Sequence, residues 1–201
     1  SLSASSVTGT LPVANGGTGL TSGTTNQFLK FTGSTTLASA ADNQGKVLQV
    51  VSYANDYLHN TTGTSATDVL SSSGVTWEPA ITPTVSTSKI LVLSSINMNN
   101  ADLSSATTQE QRYFLHCDVK VGSGSYSSFL DQNYLGQYYY SGASRPNPMN
   151  RSTFVVNSKQ YDHDTTSEIK FKWQFGLHSS GIKVQLNGDN IASTVTLMEI
   201  A

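Results

Sequence analysis

Residues 168–177 read E-I-K-F-K-W-Q-F-G-L, and this stretch limits the fold more than any other. Ile169, Phe171, Trp173, Phe175 and Leu177 alternate with Glu168, Lys170, Lys172, Gln174 and Gly176. A period of two places the first set on one face of a β-strand and the second on the other. One face is core and the other is wet, as in an antiparallel sheet.

The same period recurs along the chain. Lys46–Tyr53 is the first clear strand. Val75, Trp77 and Pro79 share one phase, with the proline at a strand end or edge. Lys89–Met98 contains the unbroken apolar run I-L-V-L, so both of its faces are expected to be covered. Arg112–Val121 sets Tyr113, Leu115, Cys117, Val119 and Val121 against Phe114, His116, Asp118 and Lys120. Tyr126–Leu130, Tyr134–Ser141, Thr153–Asn157, Ile182–Leu186 and Ser193–Ile200 complete the set, which is roughly eight strands after residue 45. Residues 54–73 are expected to form a loop and an edge strand, and polar connections are expected at 99–111, 142–150 and 158–167. A two-sheet jelly roll accommodates this number of antiparallel strands.

Composition removes several classes of function. Charged residues make up only 12% of the chain, about half of the ~25% usual in soluble domains. Ser and Thr supply 54 of the 201 residues, so the surface is polar but uncharged. With a net charge of −2 and no basic block, neither nucleic-acid binding nor polybasic membrane attachment is expected. No apolar run approaches the ~18 residues of a membrane span, and no signal peptide is visible at the start. Cys117 is the only cysteine and lies on a core phase, where an inert thiol is expected.

Residues 1–42 differ from the rest, with few apolar residues among Ser, Thr and Gly. Within them, Gly9–Gly19 reads G-T-L-P-V-A-N-G-G-T-G. Asn15-Gly16-Gly17 demands a turn, because Asn tolerates positive φ and Gly adopts it freely. A phosphate-binding loop would need a following Lys and helix, and neither is present. The segment cannot build a core alone. Its apolar residues ask for partners, either a small hairpin between Phe28–Phe31 and Thr36–Ala38 or symmetry copies around an axis.

G-T-L-P-V-A-N-G-G-T-G resembles a short motif that recurs in tail fibres and other appendages of tailed bacteriophages. The downstream chain is similar to a domain found at the C-terminal end of such fibres. The likeness rests on Gly45–Val51, on Ile81-Thr82-Pro83-Thr84 with Ser88–Val92, and on Thr194–Ala201. It implies a homotrimer with a stalk or connector at residues 1–44 and a head at 45–201. The head would be an all-β, antiparallel two-sheet jelly-roll sandwich similar to tumour-necrosis-factor-like heads. The place implied is the virion, outside the cell. The role implied is attachment to a bacterial surface polysaccharide or outer-membrane protein, with upstream fibre or virion proteins as further partners. The alternative is a purely structural fibre, collar or capsid-decoration protein.

Candidate receptor contacts are Asn99, Asn100 and Asp102 in the first long polar connection. Tyr138, Tyr139 and Tyr140 offer flat apolar rings with polar tips, suited to sugars or to a protein surface. Arg145, Asn147, Asn150 and Arg151 flank the loop stiffened by Pro146 and Pro148, where arginine forks can hold hydroxyl-rich or acidic ligands. Catalysis is not expected: Asp118, Asp131 and Glu168 are not paired by the sequence, and no G-x-S-x-G elbow occurs. No cofactor or metal is expected. Asp162-His163-Asp164 is the sharpest acidic cluster, and a polar loop accounts for it better than the six or more oxygens that Ca²⁺ wants.

Overall fold

The computed structural model describes residues 17–18, 20, 23–25, 27–34, 36–40, 45–101, 113–135, 152–178, 183–188 and 191–201. The chain divides into two compact units, Ser1–Lys46 and Val47–Ala201. In the first, β1 (Phe28–Gly33) and β2 (Thr36–Ala40) form an antiparallel hairpin. Ser39 ties its base together, accepting from the Thr24 amide at 3.1 Å and donating to Gln27 Oε1 at 2.8 Å. Phe28, Leu29 and Phe31 stand exposed on this ribbon. Of the glycine-rich motif, only Gly17 and Thr18 are among the described residues.

The second unit is an antiparallel sandwich. Its strands are β3 (Val47–Asn55), β4 (His59–Thr61), β5 (Thr67–Asp68), β6 (Ala80–Ile81), β7 (Lys89–Ala101) and β8 (Tyr113–Val121). They continue with β9 (Ser127–Leu135), β10 (Ser152–Asp162), β11 (Ile169–Leu177), β12 (Lys183–Leu186) and β13 (Ser193–Ile200). One sheet runs β3-β13-β7-β12-β4, with β10 on the opposite edge of β7. The other runs β5-β11-β8-β9, with β6 beside β5 on the same edge of β11. The long strands therefore switch sheets in the order of a jelly roll.

The alternation in 168–177 holds. Ile169, Phe171, Trp173, Phe175 and Leu177 are all buried between the sheets, facing Ile90, Val92, Ile96, Met98, Val195 and Leu197. Phe129 and Tyr161 meet Phe171 edge-on, at 5.2 and 6.0 Å between ring centres. Such geometry suits the ring quadrupoles. Gly176 is required by crowding: a Cβ there would lie 2.5 Å from Phe114 Cζ and 2.9 Å from the Ser65 carbonyl oxygen.

Several boundaries differ from the sequence expectation. β7 continues through Asn99 and Asn100 to Ala101, because β10 and β12 pair with its backbone there whatever the side chains. β9 is a single strand across Asp131–Asn133, where two strands were expected. β10 extends to Asp162 across the polar stretch expected as a loop, paired with β7 over its full length. Between Val75 and Ile81 only Ala80–Ile81 is strand; the Pro79 carbonyl still accepts from Phe171 N at 2.9 Å.

β13 and β12 occupy the same edge of β7 in succession, leaving a gap at Ile96–Asn97. Asn187, at φ 57°, and Ser193 fill it. Asn187 N donates to the Asn97 carbonyl at 3.1 Å, and Asn97 N donates to Ser193 Oγ at 3.0 Å. Ser193 Oγ in turn donates to Asn187 Oδ1 at 2.5 Å. A side chain with a positive-φ tolerance and its own carbonyl thus replaces a missing strand neighbour.

Candidate functional site

The register defines two ends of the sandwich. Asn99 lies opposite Ser152, and Tyr113 lies opposite both Leu135 and Leu177. β7 therefore finishes, β8 begins, β9 finishes, β10 begins and β11 finishes at one end. At the other end Val47 pairs with Ile200, Ile200 with Lys89, and Lys89 with Asp162. The chain enters the sandwich there. Segments 102–112 and 136–151 are consequently anchored at the end opposite the point where β3 begins.

Asn99 is on β7 with its side chain buried, so it is part of the sheet and not of an exposed loop. Among the described residues, neither its carboxamide nor that of Asn97 has a hydrogen-bond partner. Asn100 is also on β7, where its backbone pairs with Val184. Asp102, Tyr138, Tyr139, Tyr140, Arg145, Asn147, Asn150 and Arg151 lie outside the described residues. The strand ends nonetheless anchor both candidate segments at one end of the sandwich.

Beside that end the second sheet holds a polar cluster that sequence reasoning did not assemble. His116 Nε2 lies 2.7 Å from Asp131 Oδ1, and Asn133 Nδ2 donates to the same oxygen at 2.8 Å. The Phe114 ring stacks on His116 at 4.5 Å, and His178 approaches Phe114 edge-on at 6.3 Å. Only the cross-strand pairing of His116 with Asp131 brings these groups together.

The outer faces of the two sheets differ sharply in charge. On the second, Lys172 lies 3.5 Å from Asp68 and 3.9 Å from Asp118, and Lys170 lies 3.4 Å from Glu168 and 3.9 Å from Glu78. Lys120 and Lys172 sit 4.6 and 4.4 Å from the centre of the Tyr126 ring. Burial and the hydrogen bond to Glu78 push the Tyr126 phenol up. Asp118, Asp131 and Glu168 each face a separate basic group on this face.

The first sheet's outer face is built from rows read across β3, β13, β7 and β10. They are Val50–Met198–Leu91–Gln160, Ser52–Thr196–Leu93–Ser158 and Ala54–Thr194–Ser95–Val156. Val50 is 54% exposed, Phe154 50% and Val156 72%. Among the described residues this face carries charge only at its limits, with Lys89 and Asp162 at one end and Lys183 at the other.

At the end where β3 begins, Glu199 is fully buried and receives five donors. Its oxygens accept from Thr84 N at 2.8 Å, Val85 N at 3.0 Å, Ser88 Oγ at 2.7 Å, Gln49 Nε2 at 2.7 Å and Thr84 Oγ1 at 3.0 Å. Burial alone would raise its carboxyl. The donors outweigh burial and hold it at about 2. His163 Nε2 lies 3.4 Å from the same Ser88 hydroxyl, and it borders an open pocket of about 380 Å³ with Tyr161, Asp162, Asp164, Thr165 and Val121. Among the described residues no three His, Cys, Asp or Glu side chains are grouped to hold a metal. No helix among them is long and apolar enough to cross a membrane. Burial raises the Cys117 thiol well above its ordinary range.

No protein-family model matches the chain, and no curated protein matches it. Among solved structures, the chain is similar to one of infectious bursal disease virus strain Gx, with a TM-score of 0.40 and 8% identity over 85% of this chain and 36% of that one. A structure of the Gt strain gives 0.36 and 9% identity over 85% of this chain and 43% of that chain. A mutant VP2 protein of the same virus gives 0.34 and 8%, over 85% and 39%. The chain spans less than half the length of each of these.

Proposed function

We propose that this chain is the distal part of a homotrimeric tail fibre of a tailed bacteriophage, and that it attaches the virion to a bacterial surface receptor. One observation carries the reading. The segments that hold the candidate receptor contacts other than Asn99 and Asn100 are anchored at the end of the sandwich opposite to where the chain enters it. An attachment head needs that polarity, with its support at one end and its variable contacts at the other. The Gly9–Gly19 motif and its resemblance to fibre sequences support the same reading.

Attachment would be multivalent: three weak contacts per fibre and several fibres per particle. Linking sites in this way gains roughly 10²–10⁴ in avidity with no new contact. A receptor surface rich in Asn, Tyr, Ser and Thr binds through hydrogen bonds and rings, so salt screening weakens it little.

The test exchanges segments 102–112 and 136–151, singly and together, for those of a fibre with another host. Labelled wild-type protein is expected to adsorb to susceptible cells, and the exchange is expected to redirect it. Adsorption that is absent for the wild type, alongside normal attachment of phage lacking the head, would leave a structural virion component instead.

A further inference from the structure

We infer that the outer face of the first sheet packs against copies of itself around a threefold axis, with β3 of one copy alongside β10 of the next. The inference rests on the homotrimer proposed above and names the surfaces that make it.

Three observations carry it. The first is charge. The second sheet's outer face is laced with ion pairs, whereas the first sheet's rows of Val50, Met198, Leu91, Ser52, Leu93, Ala54 and Val156 are uncharged. Interface cores are depleted in charge.

The second is the edges. Free strand edges are normally blunted by shortness, charge or proline. Among the described residues, β4, β5 and β6 are two or three residues long, and β9 carries Asp131. β3 is different. Its nine residues, V-L-Q-V-V-S-Y-A-N, hold neither charge nor proline and, among the described residues, pair on one edge only, with β13. At the opposite edge of the same sheet, β10 pairs among the described residues only with β7 and exposes Phe154 and Val156; its charges are Asp162 at its end and Lys159, which turns to Phe129 of the second sheet.

The third is direction. β3, β13, β7 and β10 are successively antiparallel, so β3 and β10 run in opposite directions. Rotation about an axis along the strands preserves those directions. It brings β3 of one copy antiparallel to β10 of the next, a head-to-tail contact that closes into a ring. Four strands about 4.8 Å apart and about nine residues long present a face of roughly 19 by 30 Å. Three such faces bring roughly 1,700 Å² together around the axis, about 570 Å² for each contact between two copies, and the β3–β10 edge pairing adds backbone hydrogen bonds to that area.

The register gives a sharp test. Val47 and Asp162 lie in the same row of one sheet, three strands apart. That separation is about 14 Å, too far for a disulfide within one chain, which needs Cα atoms within about 7 Å. In the ring, Val47 of one copy stands beside Asp162 of the next. The full chain carrying Val47→Cys and Asp162→Cys is expected to give a covalent trimer on mild oxidation, seen on a denaturing gel, while either single variant stays uncrosslinked. Val156→Glu is expected to weaken the trimer at least about tenfold by native mass spectrometry. Ser128→Glu, on the outer face of the second sheet, is expected to leave it intact.

If the wild type is a trimer but the double-cysteine variant gives no interchain link, or only a covalent dimer, this inference is overturned and the trimer itself stands. A trimer unaffected by Val156→Glu overturns it as well. A monomeric wild type removes both this inference and the trimer it rests on.

Discussion

Replacing Glu199 with Gln tests how much one buried carboxylate holds the sandwich together. Five donors from Gln49, Thr84, Val85 and Ser88 converge on it and fasten the segment before β7 to the end of β13. Its folded pKa of about 2 lies below the ordinary 4.5, a gap equivalent to about 3 kcal/mol. The glutamine keeps one acceptor but turns an amide toward donors, so most of that figure is expected to be lost at neutral pH. Because folding lowers this pKa, the stabilisation is complete above pH 4.5 and fades as pH falls from about 4.5 to about 2. The assay is thermal unfolding of wild type and variant at one protein concentration, at pH 7 and pH 2.5. At pH 7 the melting temperature is expected to drop by roughly 6–12 °C. At pH 2.5 the difference is expected to shrink to less than about 1 kcal/mol. An equal difference at both pH values, or no difference at pH 7, refutes the account.

Two further outcomes follow from packing and from the chain's division. Gly176→Ala drives a methyl group into Phe114 and the Ser65 carbonyl, and is expected to lower stability by about 3 kcal/mol in denaturant unfolding. An unchanged midpoint would mean that β11 shifts at little cost. Removal of residues 1–42, which deletes most of the first unit, is expected to leave a folded sandwich by circular dichroism and a weaker trimer by native mass spectrometry. An equally stable truncated trimer would show that the sandwich alone holds the assembly.

The candidate site was only partly legible in the sequence. Polarity marked 99–111 as a connection, yet Asn99 and Asn100 belong to β7, since backbone pairing with β10 and β12 outweighs a polar side chain. Ser158–Asp162 was hidden for the same reason: its partner, Lys89–Leu93, is distant in sequence. The His116–Asp131–Asn133 cluster depends on cross-strand register, which no local pattern encodes. The Glu199 site joins residues more than a hundred positions apart, and the sequence shows only a glutamate near the chain's end.

The sequence by itself determined the all-β class and the buried face of β11 and β12; in β7, where the unbroken I-L-V-L run led both faces to be expected covered, Leu91 and Leu93 are only half-buried on the outer face. A two-residue period fixes the direction of a side chain without reference to any other part of the chain. It also marked the change in character near residue 45, because composition is local. Only the tertiary structure decided which strands are neighbours. That assigned the charged and the uncharged outer faces to different sheets, set β3 and β10 at opposite edges of one sheet, and placed the two candidate segments opposite the start of β3. These are consequences of pairing between distant strands, whose register is settled by packing the whole core at once.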